Sequence, residues 1–506
     1  MDINKNHLPS QVKNAQLEFS QLQSHFSLFK LSNFLKKSGI SKEKGIQPFE
    51  LLLNFCGIIF KRSQSITQGV KLLSKSSQKS THHEFLQNSK YNWNKLLLHV
   101  SKLYSNLFKH DEGGYTVLSI DDTARVKSGK NVEFISKFYD HSIRRFYMGY
   151  QVVLATLCNL RTCIPINFVI KTAPKLKKKT KKKAKKKSKQ LSKNKAKKNN
   201  SSTQKYKRRP IRRQKSWIPK QFQSSRLSKI KIAIKLIKDA LKHRIGFAFV
   251  LWDSWYNCSE AYEFIFKYLI PIKKIHLVSM IKLSKEKYKF LNKELNIKEL
   301  YKLAGAWQMI DSNGVKYKSM VIEIISKYGK GRVVIGKVKL CFYRFPGQRK
   351  YKALISTNLD LSEEKILEIY TYRWTIEMVI KDLKSTFGFN LSKASKYQVH
   401  VADLAIRCIL YMMVCAQKER EPHKSTYIIL FEMSVDFENH CIEAVNKYFF
   451  MNTIDCFLAY AESIGINAIK ELRAKCKTVV EGFFASEFYE DKIVHETEYY
   501  ENQKGA

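Results

Sequence analysis

Acidic residues are scarce in this chain. Its 506 residues include 43 Asp and Glu against 92 Lys and Arg, which gives a formal net charge of +49. No acid at all occurs between Asp140 and Asp239. So large an excess of positive charge goes beyond what solubility requires and favours a polyanionic partner. Nucleic acid is the natural candidate, and an anionic membrane surface is the competing interpretation.

The chain also lacks the segments that a membrane protein or a secreted protein would need. We find neither an apolar run of about 18 residues nor a lipidation motif. The opening MDINKNHLPSQ is too polar for a signal peptide. We therefore expect a cytoplasmic protein with no membrane partner. Its 44% hydrophobic content suits a sizeable folded core, and its length suits two to four domains.

Cysteine pairs at metal-binding spacing are missing. The ten cysteines are scattered, with no CxxC pair and no Cys/His cluster at zinc spacing. This pattern predicts reduced thiols, mostly in the core, and no structural zinc.

Some of the few acids directly follow apolar segments that are typical of buried strands. Residues 115–120 precede Asp121 and Asp122, and the segment FAFVLW precedes Asp253. An acid at the end of a core strand is costly unless it is hydrogen-bonded or binds a cation. The alternatives are a pair of turn-forming acids in the first case and an N-cap for a helix starting near Ser259 in the second.

Another acid, Glu377, lies in the segment YTYRWTIEMVIKDLK. There Tyr370, Arg373, Glu377 and Lys384 follow one another at intervals of three, four and seven residues, which predicts a polar stripe on one amphipathic helix. A carboxylate framed by Arg and Lys can hold a divalent metal while its neighbours bind phosphate oxygens. The alternative is a solvated ladder of ion pairs.

The spacing of these four residues resembles the signature of bacterial insertion-sequence transposases of the Asp-Asp-Glu (DDE) type, in the group with a Tyr-Arg-Glu-Lys (YREK) motif. The resemblance implies an RNase H-like core with two further aspartates upstream. Asp121, followed two residues later by Thr123, is similar to the first of them. Because side chains alternate along a strand, Asp122 is the alternative rather than a second ligand. Asp253, in the segment WDSWYN, is similar to the second aspartate.

The resemblance also implies roles for these residues. Asp121, Asp253 and Glu377 would be catalytic and hold two Mg²⁺ ions, for which Mn²⁺ can substitute. Tyr370 and Arg373 would bind DNA together with Lys384. The implied partners are the terminal inverted repeats and target DNA, bound by a homodimer, and the implied location is the bacterial nucleoid.

The predicted fold class is α/β, an RNase H-like catalytic core with a β-rich insertion, flanked by helical N- and C-terminal regions. We predict a helical DNA-binding domain over residues 1–110, the core over 113–395, and a helical C-terminal region with an acidic tail over 396–506. Within the core we expect a disordered Lys-rich loop at about 174–216 and the β-rich insertion at about 276–357.

Three further segments carry structural or DNA-binding predictions. The run from Glu133 to Asn159, with the segment INFVIKT, predicts two strands that pair with the first strand as a three-stranded antiparallel edge. Trp307 in the insertion is a candidate for stacking on an extruded base or, alternatively, a buried indole. Candidate phosphate contacts in the N-terminal region are Lys61, Arg62, Lys71 and Lys75.

Two other functions stay open. A plain RNase H-like nuclease without strand transfer would use the same acids. A DNA-binding protein that descends from a transposase and no longer cleaves DNA would keep the positive charge but would not need the acids. All three acids are present here, which speaks mildly against this alternative.

Overall fold

The structure is a computed structural model of the chain. It describes residues 21–439, except for 63–64, 74–78, 109–113, 128, 130, 141–143, 160, 173–219, 283–285, 311–313 and 329–330, together with a few isolated residues beyond 439. The predicted Lys-rich loop and the acidic tail lie outside the described residues. The chain divides into two compact units, one of residues 1–37, 41–82 and 413–506, the other of residues 38–40 and 83–412.

The described part of the first unit is helical. Its helices from the N-terminal region are α1 (Gln21–Leu28), α2 (Leu31–Lys37), α3 (Pro48–Phe60) and α4 (Ile66–Leu73), and α5 (Lys79–Gln87) begins in it. α3 starts with proline at its first position, where no backbone N–H is needed, and buries most of its apolar residues. Lys61, a candidate phosphate contact, forms an ion pair of 2.9 Å with Glu438.

The second unit is built on a mixed sheet. The strands are β1 (Val117–Val126), β2 (Ser136–Asp140), β3 (Arg145–Cys158), β4 (Cys163–Lys171), β5 (Phe249–Trp252), β6 (His276–Met280), β7 (Lys287–Phe290), β8 (Lys293–Asn296), β9 (Gln308–Ile310), β10 (Val315–Tyr328), β11 (Gly331–Arg344) and β12 (Lys352–Ser356). Their order is β2-β3-β1-β5-β6-β12-β11-β10-β7-β8, with β4 on β3 and β9 on β10.

Parallel pairing is confined to the middle of this sheet. β5 lies between β1 and β6 and is parallel to both. All four of its residues, FVLW, are buried, as expected for a strand that is covered on both faces. The antiparallel strands β7 to β11 extend the sheet beyond β12, in the region where the sequence predicted a β-rich insertion.

Helices complete the second unit. They are α6 (Trp93–Leu107), α7 (Lys229–Lys242), α8 (Ser259–Phe264), α9 (Ile297–Leu303), α10 (Glu363–Thr371), α11 (Arg373–Ser385) and the start of α12 (Tyr397–Arg420). Within the described residues, α12 is the one helix long and apolar enough to cross a membrane, and it is buried inside the protein. A buried core helix passes the same test of length and composition, so this is weak evidence for a membrane span.

Three local predictions need correction. β1 does not end at Asp121 but continues to Val126, because β3 pairs with it along its full length. The run that predicted one strand contains two, β2 and β3. The polar stripe lies on two helices, since α10 ends at Thr371 and α11 starts at Arg373.

The break between α10 and α11 has a local cause. The Thr371 hydroxyl donates to the carbonyl of Glu368, and the Thr375 hydroxyl donates to the carbonyl of Tyr372, both at 2.6 Å. The backbone N–H of Thr375 bonds to the same Tyr372 carbonyl, three residues back. Such bonds are tighter than those of a regular α-helix and interrupt it.

The prediction that every cysteine is a reduced thiol is wrong for one pair. Cys158 and Cys163 form a disulfide. They face each other where β3 and β4 pair, so the register of that hairpin brings them together. The sequence showed their spacing of five but not this register.

Trp307 lies among other aromatic side chains and an arginine. Its indole meets the ring of Tyr301 at 6.1 Å between centroids. The guanidinium carbon of Arg344 lies 4.5 Å from the centroid of the indole. The side chain is partly buried, which places it between the two alternatives that the sequence offered.

Candidate active site

Two of the three predicted acids come from neighbouring parallel strands. In the β1–β5 pair, Ile120 lies beside Trp252. The residue after Ile120 is Asp121, and the residue after Trp252 is Asp253. The strand register therefore places the two acids side by side at the carboxyl end of β5. Adjacent strands are about 4.8 Å apart. The backbone pairing itself therefore brings these carboxylates together.

Asp121 faces the helix that carries the polar stripe. Its carboxylate is 21% exposed, and its Oδ2 lies 3.6 Å from Nη1 of Arg373 on α11. The pKa of Asp121 is raised to about 6, mainly by burial and in smaller part by the charges of Asp122 and Asp253. A hydrogen bond from the Asp122 N–H and the charge of Arg373 oppose this rise. A nearby cation would stabilise the ionised form of this buried carboxylate.

Asp122 lies on the opposite face of β1. Its Oδ1 pairs with Lys229 Nζ on α7 at 2.5 Å. The side-chain amide of Gln151 on β3 donates to its Oδ2 at 2.7 Å, and the Tyr256 hydroxyl lies 3.5 Å from Oδ1. Because β1 continues past both acids, their side chains point to opposite faces, and Asp122 is already held by partners of its own.

Asp253 caps a short 3₁₀ helix, Ser254–Tyr256, rather than the helix that starts at Ser259. Its Oδ1 accepts from the backbone N–H and the hydroxyl of Ser254, at 2.6 and 3.1 Å. Both hydrogen bonds fall on the same oxygen. The cap therefore fixes the carboxylate without using both of its oxygens.

Glu377 is joined to the pair through Arg373. Nη2 of Arg373 donates to Glu377 Oε1 at 2.7 Å, while Nη1 of the same guanidinium faces Asp121. Only 14% of the Arg373 side chain is exposed. Burial acts to lower the pKa of Arg373, but Tyr370 and the two carboxylates outweigh burial and raise it. The arginine is thus a permanent cation between Asp121 and Glu377.

The remaining stripe residues lie on either side of this group. Tyr370, at the end of α10, has its ring 5.7 Å from the guanidinium carbon of Arg373. The pKa of Tyr370 is raised to about 12, mainly by burial, with the charge of Arg373 opposing the rise and the charges of Asp253 and Asp121 supporting it. Lys384 lies two turns beyond Glu377 on α11, about 10 Å farther along the helix axis.

Several neighbours of the acids were not predicted. The buried Tyr256 has its pKa raised by burial and by the charges of Asp122, Asp121 and Asp253. Lys282 Nζ lies 3.1 Å from the ring centroid of Trp255, and the charge of Asp253 acts on it. Tyr256 and Trp255 belong to the WDSWYN segment, so that motif carried a signal. Lys229 and Lys282 are two among many lysines, and nothing in the sequence distinguishes them.

The side chains fit a divalent cation in part. Among the described residues, no three His, Cys, Asp or Glu side chains are close enough to one another to hold a metal ion. Asp121 and Asp253 offer carboxylate oxygens, the ligands that Mg²⁺ prefers. Glu377 is held by Arg373 instead of joining them. Two of the three acids are brought together, and a guanidinium stands next to the third.

The site combines two acids from the ends of adjacent parallel strands with a third acid and an arginine on a helix packed against β1. Carboxylates are the groups that metal-assisted phosphoryl transfer uses, and the family models that match the chain indicate a nuclease-type enzyme. Residues 59–263 match the family model for the DDE superfamily endonuclease, and residues 166–413 match the model for the transposase DDE domain. No curated protein matches this chain.

The two matches together span all three acids. The first includes Asp121 and Asp253, and the second includes Asp253 and Glu377. They support a DDE transposase. Enzymes of this kind generally use divalent metals, and their substrate is DNA.

Proposed function

We propose that this chain is a DDE transposase of the YREK group that cleaves DNA at the ends of an insertion sequence and transfers the freed strand into target DNA. One observation carries the proposal. The parallel register of β1 and β5 places Asp121 beside Asp253, and Arg373 connects this pair to Glu377.

In this proposal Asp121, Asp253 and Glu377 would hold two Mg²⁺ ions, or Mn²⁺, and the bound metal would supply the positive charge that polarises the scissile phosphate and acidifies the attacking water. Asp121 and Asp253 are prearranged by the sheet. Glu377 becomes available when Arg373 exchanges its carboxylate partner for a phosphate oxygen of the DNA. A guanidinium can bind phosphate through two parallel hydrogen bonds, so the exchange keeps its hydrogen bonding satisfied.

Tyr370 and Lys384 extend the contact with the DNA backbone. Tyr370 lies against Arg373 and limits its side-chain freedom. Lys384 is placed to bind a phosphate farther along the strand, since it lies about two turns from Glu377 on the same helix. These residues position the substrate, and the acids carry the chemistry.

The larger architecture belongs to the same proposal. β1 to β6, with β12, form an RNase H-like core, and β7 to β11 form the insertion that handles the transposon end. The helical N-terminal region, residues 1–110, binds the inverted repeats, and a homodimer holds both ends near target DNA. The formal net charge of +49 supports binding to DNA and association with the nucleoid.

Cleavage and binding assays on DNA that carries the inverted repeats flanking the gene test this proposal. We expect Asp253→Asn and Glu377→Gln to abolish cleavage while binding stays nearly unchanged, because a lost metal ligand costs catalysis more than phosphate affinity. Asp360→Asn, which changes an exposed acid near α10, is the matched control and should cleave normally. Cleavage by either active-site variant at the wild-type rate would defeat the assignment.

A nuclease without strand transfer is the second candidate, because the same acids would serve it. A strand-transfer assay with pre-cleaved ends separates the two. Joined product supports the transposase, and cleavage without joined product supports the nuclease. A wild-type protein that binds these ends but never cleaves them would instead be an inactive derivative.

A further inference from the structure

One side of the second unit combines exposed aromatic, apolar and basic side chains. β2 and β3 form a two-stranded ribbon in which Tyr139 pairs with Phe146 and Lys137 with Met148. The exposed fraction is 39% for Tyr139, 63% for Phe146 and 46% for Met148. The rings of Tyr139 and Phe146 meet edge to face at 5.0 Å, and Lys137 Nζ lies 4.7 Å from the Phe146 ring centroid. We call these four side chains the ribbon face.

The ribbon face lies on the same side of the sheet as the catalytic aspartate. Asp121 on β1 pairs with Leu154 on β3, so their side chains share a face. Side chains alternate along a strand, and every second residue of β3 from Leu154 to Phe146 therefore points to that face. The eight steps along the strand from Phe146 to Leu154 span about 26 Å at roughly 3.3 Å per residue. Duplex DNA covers this distance in about eight base pairs.

The stretch between the two sites is covered by protein that is itself basic on the outside. Tyr150 on β3 is buried against Tyr397 at the start of α12. The segment before α12 carries exposed Lys393 and Lys396, and Lys396 forms a 3.0 Å ion pair with Glu133, just before β2. The segment that covers this stretch therefore carries two lysines, and Glu133 offsets the charge of one of them.

We propose that the β2–β3 ribbon binds the DNA duplex about eight base pairs from the scissile phosphate. A two-stranded ribbon fits the major groove of B-DNA. Lys137 and the exposed Arg144 and Arg145 contact phosphates, while Tyr139 and Phe146 pack on sugars and thymine methyl groups. The inference rests on the proposed function, because the distance is counted from a phosphate placed at Asp121.

DNA suits this surface better than a second copy of the chain does. The ribbon carries Lys137 on this face, Arg144 just before β3 and Arg145 on the other face, against the single acid Asp140, which pairs with Arg145 in the register. Two copies meeting through this surface would bring like charges together, which opposes association. A polyanion meets the same charges with attraction, and the aromatic rings add contacts that do not depend on salt.

The test compares full-length protein with the double variant Tyr139→Ala and Phe146→Ala. Binding is measured on end-containing duplexes shortened step by step on either side of the cleavage point. We expect wild-type affinity to fall roughly tenfold when one side becomes shorter than about eight base pairs, the effect of losing a buried aromatic contact. The double variant should bind the long duplex about as weakly as wild type binds the short one.

Tyr427→Ala, which removes an aromatic side chain that is 59% exposed, is the matched control and should behave as wild type. A double variant with wild-type affinity and wild-type length dependence would overturn the inference. So would a change in its oligomeric state without DNA, measured by sedimentation, since that would assign the ribbon face to a second copy. Binding is measured without cleavage. A wild-type protein that binds these duplexes but does not cleave them would refute the proposed function, and the effect of the double variant on binding could still be interpreted.

Discussion

At the scale of single residues, two adjacent aspartates have different surroundings. Asp121 faces Arg373 and lies beside Asp253, whereas Asp122 is held by Lys229 and Gln151 on the other face of β1. The sequence could offer both as candidates because they are neighbours in the chain. Their roles depend on where β1 ends, and that is set by pairing with β3 over its full length, which no local pattern reveals.

We expect Asp121→Asn to reduce cleavage of end DNA by more than about a hundredfold, because it removes a charged metal ligand. Asp122→Asn should leave most of the activity and instead lower the thermal stability, since it unpairs Lys229, which is only partly exposed. Cleavage rates and melting temperatures of the two variants check both statements. A larger loss of cleavage in Asp122→Asn would show that the two residues have been assigned the wrong way round.

Arg373 is predicted to position the DNA rather than to hold the fold. Its guanidinium reaches Asp121 and Glu377 at once, which suits exchange with a phosphate. Arg373→Lys keeps the charge but loses the planar two-point contact, and a phosphate misplaced by about 1 Å can cost on the order of a hundredfold in rate. Single-turnover cleavage measures this, with Lys384→Arg as the milder companion. If Arg373→Lys cleaved at the wild-type rate, Arg373 would not position the DNA, and the polar stripe would be only a ladder of ion pairs.

At the scale of elements, the sequence predicted the strands better than it predicted their partners. Apolar runs indicated β1, β3, β4 and β5. The split of the polar stripe into α10 and α11 was missed, because side-chain hydroxyls that bond to the backbone interrupt a helix without changing its amphipathic pattern.

Gly149 holds the ribbon against the end of β1. A Cβ atom built there would lie 2.2 Å from the carbonyl oxygen of Arg125 and 3.0 Å from the backbone nitrogen of Lys127. Any larger side chain must push the two strands apart. We expect Gly149→Ala to destabilise the fold by about 1–3 kcal/mol, the usual cost of overpacking.

Thermal unfolding measures that cost. Gly246→Ala is the matched control, because a Cβ atom there meets nothing within 4 Å. Equal melting temperatures for the two variants would show that β1 and β3 can separate at this point without loss.

At the scale of the whole molecule, charge is the property that the sequence gives most directly. Lys175–Lys215 contains 22 basic residues and no acid, so the rest of the chain keeps 49 − 22 = +27. Binding to a polyanion is thus expected of the folded part as well. The juxtaposition of Asp121, Asp253 and Arg373 is different, because it depends on strand register and helix placement between residues that are far apart in the chain.

Deleting residues 177–198 should weaken DNA binding for all sequences alike and flatten its dependence on salt. Each phosphate contact contributes about 0.9 to the slope of log K against log salt concentration. Binding titrations between low and moderate salt give this slope for both proteins. An unchanged slope would mean that these lysines do not contact DNA.

In the proposed function, Asp121 and Asp253 bind the catalytic metal ion during cleavage. Replacing either with cysteine exchanges a hard oxygen ligand for a softer sulfur, which Mg²⁺ accepts poorly and Mn²⁺ accepts better. Cleavage of end DNA by Asp121→Cys and Asp253→Cys, measured in Mg²⁺ and then in Mn²⁺, is therefore the most direct test. We expect both variants to lose cleavage in Mg²⁺ and to recover part of it in Mn²⁺, whereas the wild-type protein cleaves in both. Cleavage by these variants in Mg²⁺ at the wild-type rate would contradict this metal-binding role.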